Sequence, residues 1–231
     1  MSGTGLLTYQ AEEGQSRHGK VYDDWDGLGE ILDFPSEASH RKVDRIVLEA
    51  AKTAQTAIVC PPVIYGQGRG PVNKRAMISP LTASSFIRKG HGYVPRGPAA
   101  WHHVHVHDLT DLFVLLIDSA VKGGGKATWG KDGYYFAESE RMNWSDYCKA
   151  MQKCASEAGY ISDQEMPVWD MDQAVKEDGM LASIFFTTSL GKAIRARKLL
   201  GWHPTRQSVV EDMVNVITLE AEAGSVGKKS D

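Results

Sequence analysis

The sequence has few cysteines and no long hydrophobic run. It contains 3 cysteines among 231 residues, Cys60, Cys148 and Cys154, with no Cys-x-x-Cys pair. An odd number of cysteines without that spacing is typical of reduced thiols in a cytosolic protein rather than of a disulfide framework. The longest apolar run, residues 112–117, is far too short to cross a bilayer. These absences predict a cytoplasmic protein without a membrane-spanning segment.

An excess of basic residues is also missing. The chain has 26 Lys and Arg against 29 Asp and Glu, which gives a net charge of -3. This balance predicts no nucleic-acid partner and no attraction to an anionic membrane. The first residues lack the basic n-region and apolar h-region of a signal peptide. With 42% hydrophobic residues, the chain is expected to fold as one domain, or as one domain with a lobe.

A glycine-rich phosphate loop is absent as well. The glycines of segment 66–70 have the wrong spacing and are followed by Pro71 instead of a helix. Gly3 and Gly5 have no strand in front of them. A pyrophosphate needs backbone N–H groups at the start of a helix, directly after a strand. Neither glycine group is therefore a credible phosphate-binding loop.

The most informative stretch is residues 57–71. Residues 57–60 form a short apolar run with two β-branched residues, which predicts a strand buried on both faces of a parallel sheet. Pro61 and Pro62 remove two backbone donors, so the strand must end there. Tyr65 and three alternating glycines follow, and glycines allow a backbone to pass close to a ligand. Composition alone favours a plain tight loop, whereas the order of residues is typical of the ligand-binding carboxyl edge of an α/β sheet.

Three motifs in this order resemble a known family. They are Pro61-Pro62-Val63-Ile64-Tyr65-Gly66, Val104-His105-Val106-His107-Asp108-Leu109 and Leu200-Gly201-Trp202-His203-Pro204. The chain resembles the extended short-chain dehydrogenase/reductases, the nucleotide-sugar epimerase/dehydratase-like enzymes, over nearly all of its length. The resemblance implies an α/β fold equivalent to the C-terminal part of a Rossmann-like protein. We expect a reduced parallel sheet and a small mixed α/β substrate lobe, and the resemblance implies that the dinucleotide-binding half is lacking.

The resemblance also implies how the chain is divided. Residues 1–65 would form a partial Rossmann-like core. Residues 66–224 would form the substrate lobe, together with elements that return to the core, and residues 225–231 a disordered polar tail. The composition of the polar, acidic segment 9–35 predicts a long surface loop, with Tyr22 and Trp25 able to fix it to the body. The competing interpretation is a mobile acidic segment.

The catalytic positions of the family are matched only in part. The resemblance places Ser2 at the serine that donates a hydrogen bond to the substrate oxygen. In the family's Tyr-x-x-x-Lys motif, His40 stands in place of tyrosine and Asp44 in place of lysine. A histidine can exchange protons, because its ordinary pKa is about 6.5. An aspartate cannot supply the positive charge of the lysine, and the competing interpretation of His40 is a solvated residue in a first helical turn.

These two positions lie on a predicted helix. Ser36 is expected to start it and residue 54 to end it. An apolar stripe is expected to face the core. The stripe comprises Val43, Ile46, Val47, Ala50 and Ala51.

Cofactor and substrate contacts follow from the resemblance too. Segment 61–65 would run beside the nicotinamide end of NAD or NADP, with contacts from Pro61, Pro62, Val63 and Tyr65. Arg69 and Asn73 would meet a substrate diphosphate, although a solvated charge cluster is the plainer interpretation. Trp101 and His103 would line the substrate pocket. Because the phosphate loop and the Tyr-Lys pair are missing, we expect weak or absent dinucleotide binding.

The histidine-rich stretch 101–108 permits another interpretation. A period of two places Trp101, His103, His105 and His107 on one face of a strand. Three imidazoles on one face can bind zinc, but no Cys or carboxylate accompanies them at an obvious ligand spacing. The alternative is a structural strand with one or two pocket residues, after which Asp108 caps a helix over residues 109–121.

Three functional hypotheses remain open. The first is an NAD(P)-dependent reductase or epimerase-like enzyme acting on a small-molecule substrate, slow or inactive on its own. The second is a non-catalytic binding or scaffold relative, and the third is a zinc-dependent hydrolase that uses His103, His105 and His107. A homodimer is compatible with all three.

Overall fold

A computed structural model describes residues 1–9, 20–71, 74–162 and 164–224. The chain divides into two compact units. The first unit consists of Met1–Ile64, Trp101–Arg141 and Thr188–Arg206, and the second of Tyr65–Ala100, Met142–Thr187 and Gln207–Asp231. The chain therefore leaves the first unit after Ile64 and returns to it twice.

Strands and helices are interspersed along the chain, and several elements of the same kind are consecutive. The strands are β1 Tyr22–Asp23, β2 Ile58–Cys60, β3 Val63–Tyr65, β4 Val94–Pro95, β5 Ala100–His105, β6 Tyr134–Phe136, β7 Glu140–Asn143, β8 Val168–Trp169 and β9 Gly191–Lys192. The helices are α1 Leu28–Leu32, α2 Arg41–Ala50, α3 Ile78–Lys89, α4 Val106–Val121, α5 Trp144–Glu157, α6 Met171–Asp178, α7 Ile194–Leu200 and α8 Val209–Ala223. Short 3₁₀ helices cover Thr4–Thr8, Gly130–Asp132 and Met180–Phe186.

Strand β2 is the centre of a parallel arrangement in the first unit. It pairs in parallel with β6, with Val59 opposite Tyr135. On its other side, Ser2 N donates to Val59 O at 2.7 Å and Thr4 N to Pro61 O at 2.9 Å. All three residues of β2 are buried, as expected for an apolar run with neighbours on both sides. The predicted α/β fold with a reduced parallel sheet is confirmed.

Two further pairs of short strands are also parallel. Strand β1 pairs in parallel with β9, and β4 pairs in parallel with β8. Strands β3, β5 and β7 form a three-stranded sheet in that order. The first unit packs its helices on one core, to which α4 contributes Leu109, Leu112 and Leu116 from a single face.

Helix α2 differs from its prediction in length. It begins at Arg41 instead of Ser36, because two turns precede it, closed by Ala38 N to Pro35 O and Arg41 N to Ala38 O. His40 ends these turns with a left-handed backbone, φ 65°. The helix ends at Ala50, four residues before the predicted end.

The predicted buried stripe of α2 is wrong in part, since Val47 packs against the core but other positions do not. Val43 and Ile46 are 57% and 70% exposed, whereas Arg41 and Asp44 are buried. Arg41 donates through Nε to Phe34 O at 3.1 Å and also to Leu32 O, and Asp44 accepts from two hydroxyl groups. Specific polar partners on the inner side have therefore overridden the apolar pattern.

Helix α4 also starts differently from the prediction. It begins at Val106, and its cap is His105, whose Nδ1 accepts from His107 N at 3.1 Å. His107 therefore lies in the helix and not on a strand face with His103. Asp108 has a different role from the predicted cap, because its carboxylate accepts from Thr205 N at 3.0 Å and from Arg206 N at 3.2 Å.

The second unit is a mixed α/β lobe. Helices α3, α5 and α8 pack on each other. Tyr93 stacks on Trp169 with ring centroids 4.3 Å apart, and the Lys89 ammonium group lies over both rings. Lys89 also pairs with Asp178 at 2.8 Å. These contacts connect α3 to the ends of β8 and α6.

Candidate functional site

The N-terminal segment 2–5 lies at the carboxyl end of β2, as the hydrogen bonds to Val59 and Pro61 show. The His40 side chain packs against this segment from the start of α2. A Cβ atom built on Gly3 would lie only 2.8 Å from His40 Nε2, and one on Gly5 would lie 3.6 Å from it. Because real Cβ contacts are longer than 2.8 Å, residue 3 must be glycine for His40 to sit there.

His40 is the exposed member of this group. Among the described residues, it is the one non-glycine residue with positive φ. It borders an open depression of about 290 Å³, whose lining also includes Ser36, Lys42 and Val43. A strained backbone beside an accessible imidazole is an arrangement that can present a proton-transfer group to a ligand.

Ser2 belongs to a buried polar cluster. Its hydroxyl donates to Asp44 Oδ2 at 2.9 Å, and Tyr134 OH donates to the same oxygen at 3.1 Å. Burial raises the pKa of Tyr134 well above its usual range, and the nearby Cys60 and Asp44 add to this, so the phenol keeps its proton. Since the Ser2 proton is bound by Asp44, the serine oxygen can accept but not donate a further hydrogen bond in this arrangement.

Two other groups surround this cluster. Burial raises the pKa of the Cys60 thiol to about 12, so it is neutral and not nucleophilic at neutral pH. Burial also lowers the pKa of Arg41, although the charge of Asp44 opposes this effect. A buried carboxyl group, that of Asp44, thus occupies the position where the resemblance expects a lysine.

The remaining predicted residues are in varied surroundings. Pro61, Pro62 and Val63 are buried at the end of β2 and the start of β3. In the second unit, Tyr65 OH donates to Gln207 O at 2.8 Å, and Arg69 is exposed. Asn73 lies outside the described residues.

The histidine-rich stretch is mostly interior. Trp101 is buried on β5. His103 is fully buried, and burial lowers its pKa to about 3, so it is neutral. His105 and His107 form an edge-to-face pair with ring centroids 4.9 Å apart. Within the described ranges, no three His, Cys, Asp or Glu side chains are grouped to hold a metal ion. The zinc-hydrolase hypothesis therefore has no ligand set in that part of the chain.

Asp24 is an important residue that the sequence did not single out. Its buried carboxylate accepts from Phe136 N, Ile194 N and Arg195 N, each at 2.8 Å. Arg195 Nε in turn donates to Asp24 O at 2.9 Å. Burial raises the pKa of Asp24 to about 6, and the three N–H donors oppose that rise. An aspartate in a polar, acidic segment gives no sequence signal that it accepts buried backbone hydrogen bonds. The neighbouring Trp25 was the nearest indication, since it was expected to fix this segment to the body of the protein.

The fold was compared with solved structures. UDP-glucose 4-epimerase from Thermotoga maritima, solved with UDP-glucose, matches 98% of this chain with a TM-score of 0.58 and 14% identity. The fold is that of the extended short-chain dehydrogenase/reductases. DesIV from Streptomyces venezuelae, a dTDP-glucose 4,6-dehydratase solved with NAD and TYD, matches 97% of the chain with a TM-score of 0.55 and 12% identity. The fold that the motifs predicted is thus confirmed.

A curated relative gives a sequence match as well. The oxidase UcsJ of Acremonium sp is 28% identical over 236 aligned residues, which cover 95% of this chain and 68% of that protein. No protein-family model matches the chain. The chain spans 63% of the epimerase and 59% of the dehydratase, so about six-tenths of the length of these solved structures.

In the described part of the chain, none of the helices combines the length and apolar character needed to cross a membrane.

Proposed function

We propose that this chain is an epimerase-, dehydratase- or reductase-type protein of NAD(P) chemistry that acts on a small hydroxyl or carbonyl substrate, in a reducing, cytoplasmic compartment. We further propose that, on its own, it binds the dinucleotide weakly and turns over slowly or not at all. The observation that carries the proposal is the arrangement at the end of β2, where segment 2–5 and the exposed His40 meet.

The arrangement supports a division of roles. His40 is accessible and lies against segment 2–5, so it is the best group to exchange a proton with a substrate oxygen. Ser2 is held by Asp44 and serves to fix the segment under His40. Proton transfer by a well-placed group contributes roughly 10²–10⁴-fold to a rate, and an imidazole without the family's lysine would give only part of it.

The described residues do not fit a complete dinucleotide. A pyrophosphate needs N–H groups at a glycine-rich helix start, and among the described residues neither 3–5 nor 66–70 leads from a strand into such a helix. The buried Asp44 carboxylate places a negative charge near the position of the expected lysine, which disfavours phosphate groups. Only the nicotinamide end would have contacts, from the buried edge 61–63.

Calorimetric titration with NADH and with NADPH tests the proposal. We expect dissociation constants above roughly 100 µM, or a binding free energy weaker than about -5.5 kcal/mol. A micromolar constant for either dinucleotide would contradict the weak-binding part.

Turnover assays test the role of His40. A panel of UDP-glucose and simple aldehydes, with either dinucleotide at the highest practicable concentration, should give slow turnover or none. Any slow rate should fall at least about tenfold in His40→Ala. His203→Ala is the matched control, because His203 is also exposed and does not line the depression beside His40. A rate that both variants retain would show that His40 does not take part in the reaction.

A further inference from the structure

A cleft between α3 and the 3₁₀ helix 180–186 lies entirely within the second unit. Its volume is about 150 Å³, and we call it the α3 cleft. Its apolar wall consists of Ile78, Leu81, Leu181, Ala182 and Phe185. The inner residues Ile78, Ala182 and Phe185 are buried, whereas Leu81 and Leu181 form an exposed rim. The cleft therefore offers an apolar interior that is open to solvent at one side.

The hydroxyl groups that line the cleft already donate hydrogen bonds to other groups of the protein. Thr82 Oγ1 donates to Ile78 O at 2.8 Å. Ser84 Oγ donates to Glu220 Oε2 at 2.6 Å, and Ser85 Oγ donates to Asp178 Oδ1 at 2.5 Å. A hydroxyl has a single O–H, so these three side chains can only accept a hydrogen bond from a ligand.

The charged residues of the cleft show the same shortage of donors. Asp178 is an acceptor, and both of its oxygens receive Lys89 Nζ at 2.8 Å. Arg88 lies 3.9 Å from Asp178. Among the described lining residues, Arg88 is the one side chain that still has N–H groups to offer. A phosphate or diphosphate is normally held by several donors, from charged side chains or from the backbone. The side chains of the cleft supply one, Arg88.

We propose that the α3 cleft binds an uncharged, ring-sized apolar group of the substrate, carrying at most one hydroxyl that donates to Ser85 or Asp178. An apolar cavity of about 150 Å³ in another protein takes up benzene, which sets the size of the group. This inference rests on the proposed function only in assigning that group to the substrate. The UDP-glucose of the epimerase structure carries a diphosphate, so the charged part of such a ligand would not suit this cleft.

The test is a titration of the ¹⁵N-labelled chain by NMR, with phenol and with phenyl phosphate as probes and no dinucleotide present. Phenol should saturate, with shift changes concentrated in residues 78–88 and 178–185. Phenyl phosphate should bind at least about tenfold more weakly, because its charge finds few donors. Equal or tighter binding of phenyl phosphate would overturn the proposal, and so would phenol shifts centred elsewhere.

Rim variants locate the binding site. Leu81→Glu places a charge on the cleft and should weaken phenol binding at least about tenfold. Met77→Glu is the matched control, since Met77 is 58% exposed against 51% for Leu81 and does not line the cleft. Leu181→Lys with the control Met180→Lys repeats the comparison on the opposite wall. Equal effects within either pair would refute the assignment. Because no dinucleotide is present, a failure of NAD(P) binding leaves this result unaffected.

Discussion

At the scale of single residues, the close approach of Gly3 and His40 is the feature most open to test. Gly3→Ala would bring a Cβ atom within 2.8 Å of His40 Nε2, so the imidazole must move. Because that atom is the far end of an exposed side chain, we expect the free energy of unfolding to fall by less than about 1 kcal/mol, together with a clear shift of the His40 ring resonances. Gly29→Ala is the control, because its Cβ would meet no atom within 4 Å. Unchanged His40 resonances in Gly3→Ala would contradict the packing described.

Asp24 gives a pH prediction. Its pKa is raised from 3.8 to about 6 in the folded chain, so the folded state binds the proton more tightly than the unfolded state. The stability that Asp24 contributes is therefore largest at low pH and is lost as the pH rises through about 6. Relative to Asp24→Asn, the wild type should gain up to about 3 kcal/mol in the free energy of unfolding as the pH falls from about 8 to about 4. Urea unfolding of both proteins measures it, and a constant difference would contradict it.

At the scale of elements, the sequence predicted β2 well and α2 poorly. The run 57–60 is apolar throughout and ends at two prolines, so local composition was sufficient. The prediction of the buried face of α2 failed because that face depends on partners outside the helix. Arg41 donates to the carbonyls of residues 32 and 34, and Asp44 accepts from Ser2 and Tyr134. The spacing of apolar residues along the helix does not show which of its polar side chains will find such partners. The same reason explains why His105, and not Asp108, caps α4.

The attachment of α3 to α6 is a testable feature at this scale. Lys89→Met keeps much of the apolar stem but leaves the half-buried Asp178 without its main cation. We expect a loss of about 2–4 kcal/mol in the free energy of unfolding. Lys153→Met removes an exposed i,i+4 pair with Glu157 and should cost less than about 0.5 kcal/mol. Comparable losses in the two variants would show that the Lys89–Asp178 pair stabilises the fold no more than an exposed ion pair does.

At the scale of the whole molecule, the order of motifs was sufficient to predict the fold class, since three separated segments each matched the same family. The candidate site was predicted less completely. The positions of Ser2 and His40 near the end of β2 follow from that order, but the hydrogen bond from Ser2 to Asp44 depends on side-chain packing. Asp24 was not predicted because its partners lie more than 100 residues away in sequence.

The three cysteines provide a separate reporter for each unit. Cys60 lies in the first unit and Cys148 in the second; both are fully buried, and burial raises both pKa values. Cys154 is partly exposed, and its pKa is also raised. In the native protein we expect Cys154 alone to react with a thiol reagent, and slowly. Pulsed labelling with mass spectrometry in increasing urea should then report the opening of each unit through Cys60 and Cys148. Rapid native labelling of either would contradict their burial.

The outward-facing valine and isoleucine of α2 make the salting-out behaviour of the protein predictable. Sulfate is excluded from protein surfaces and raises the cost of keeping apolar groups in water. Val43→Ser with Ile46→Ser should therefore remain in solution at a higher ammonium sulfate concentration than the wild type, and should elute earlier from a phenyl column. Neither change removes a buried contact, so the melting temperature should stay nearly constant. For this protein, the precipitation point can thus be tuned from two positions on one helix.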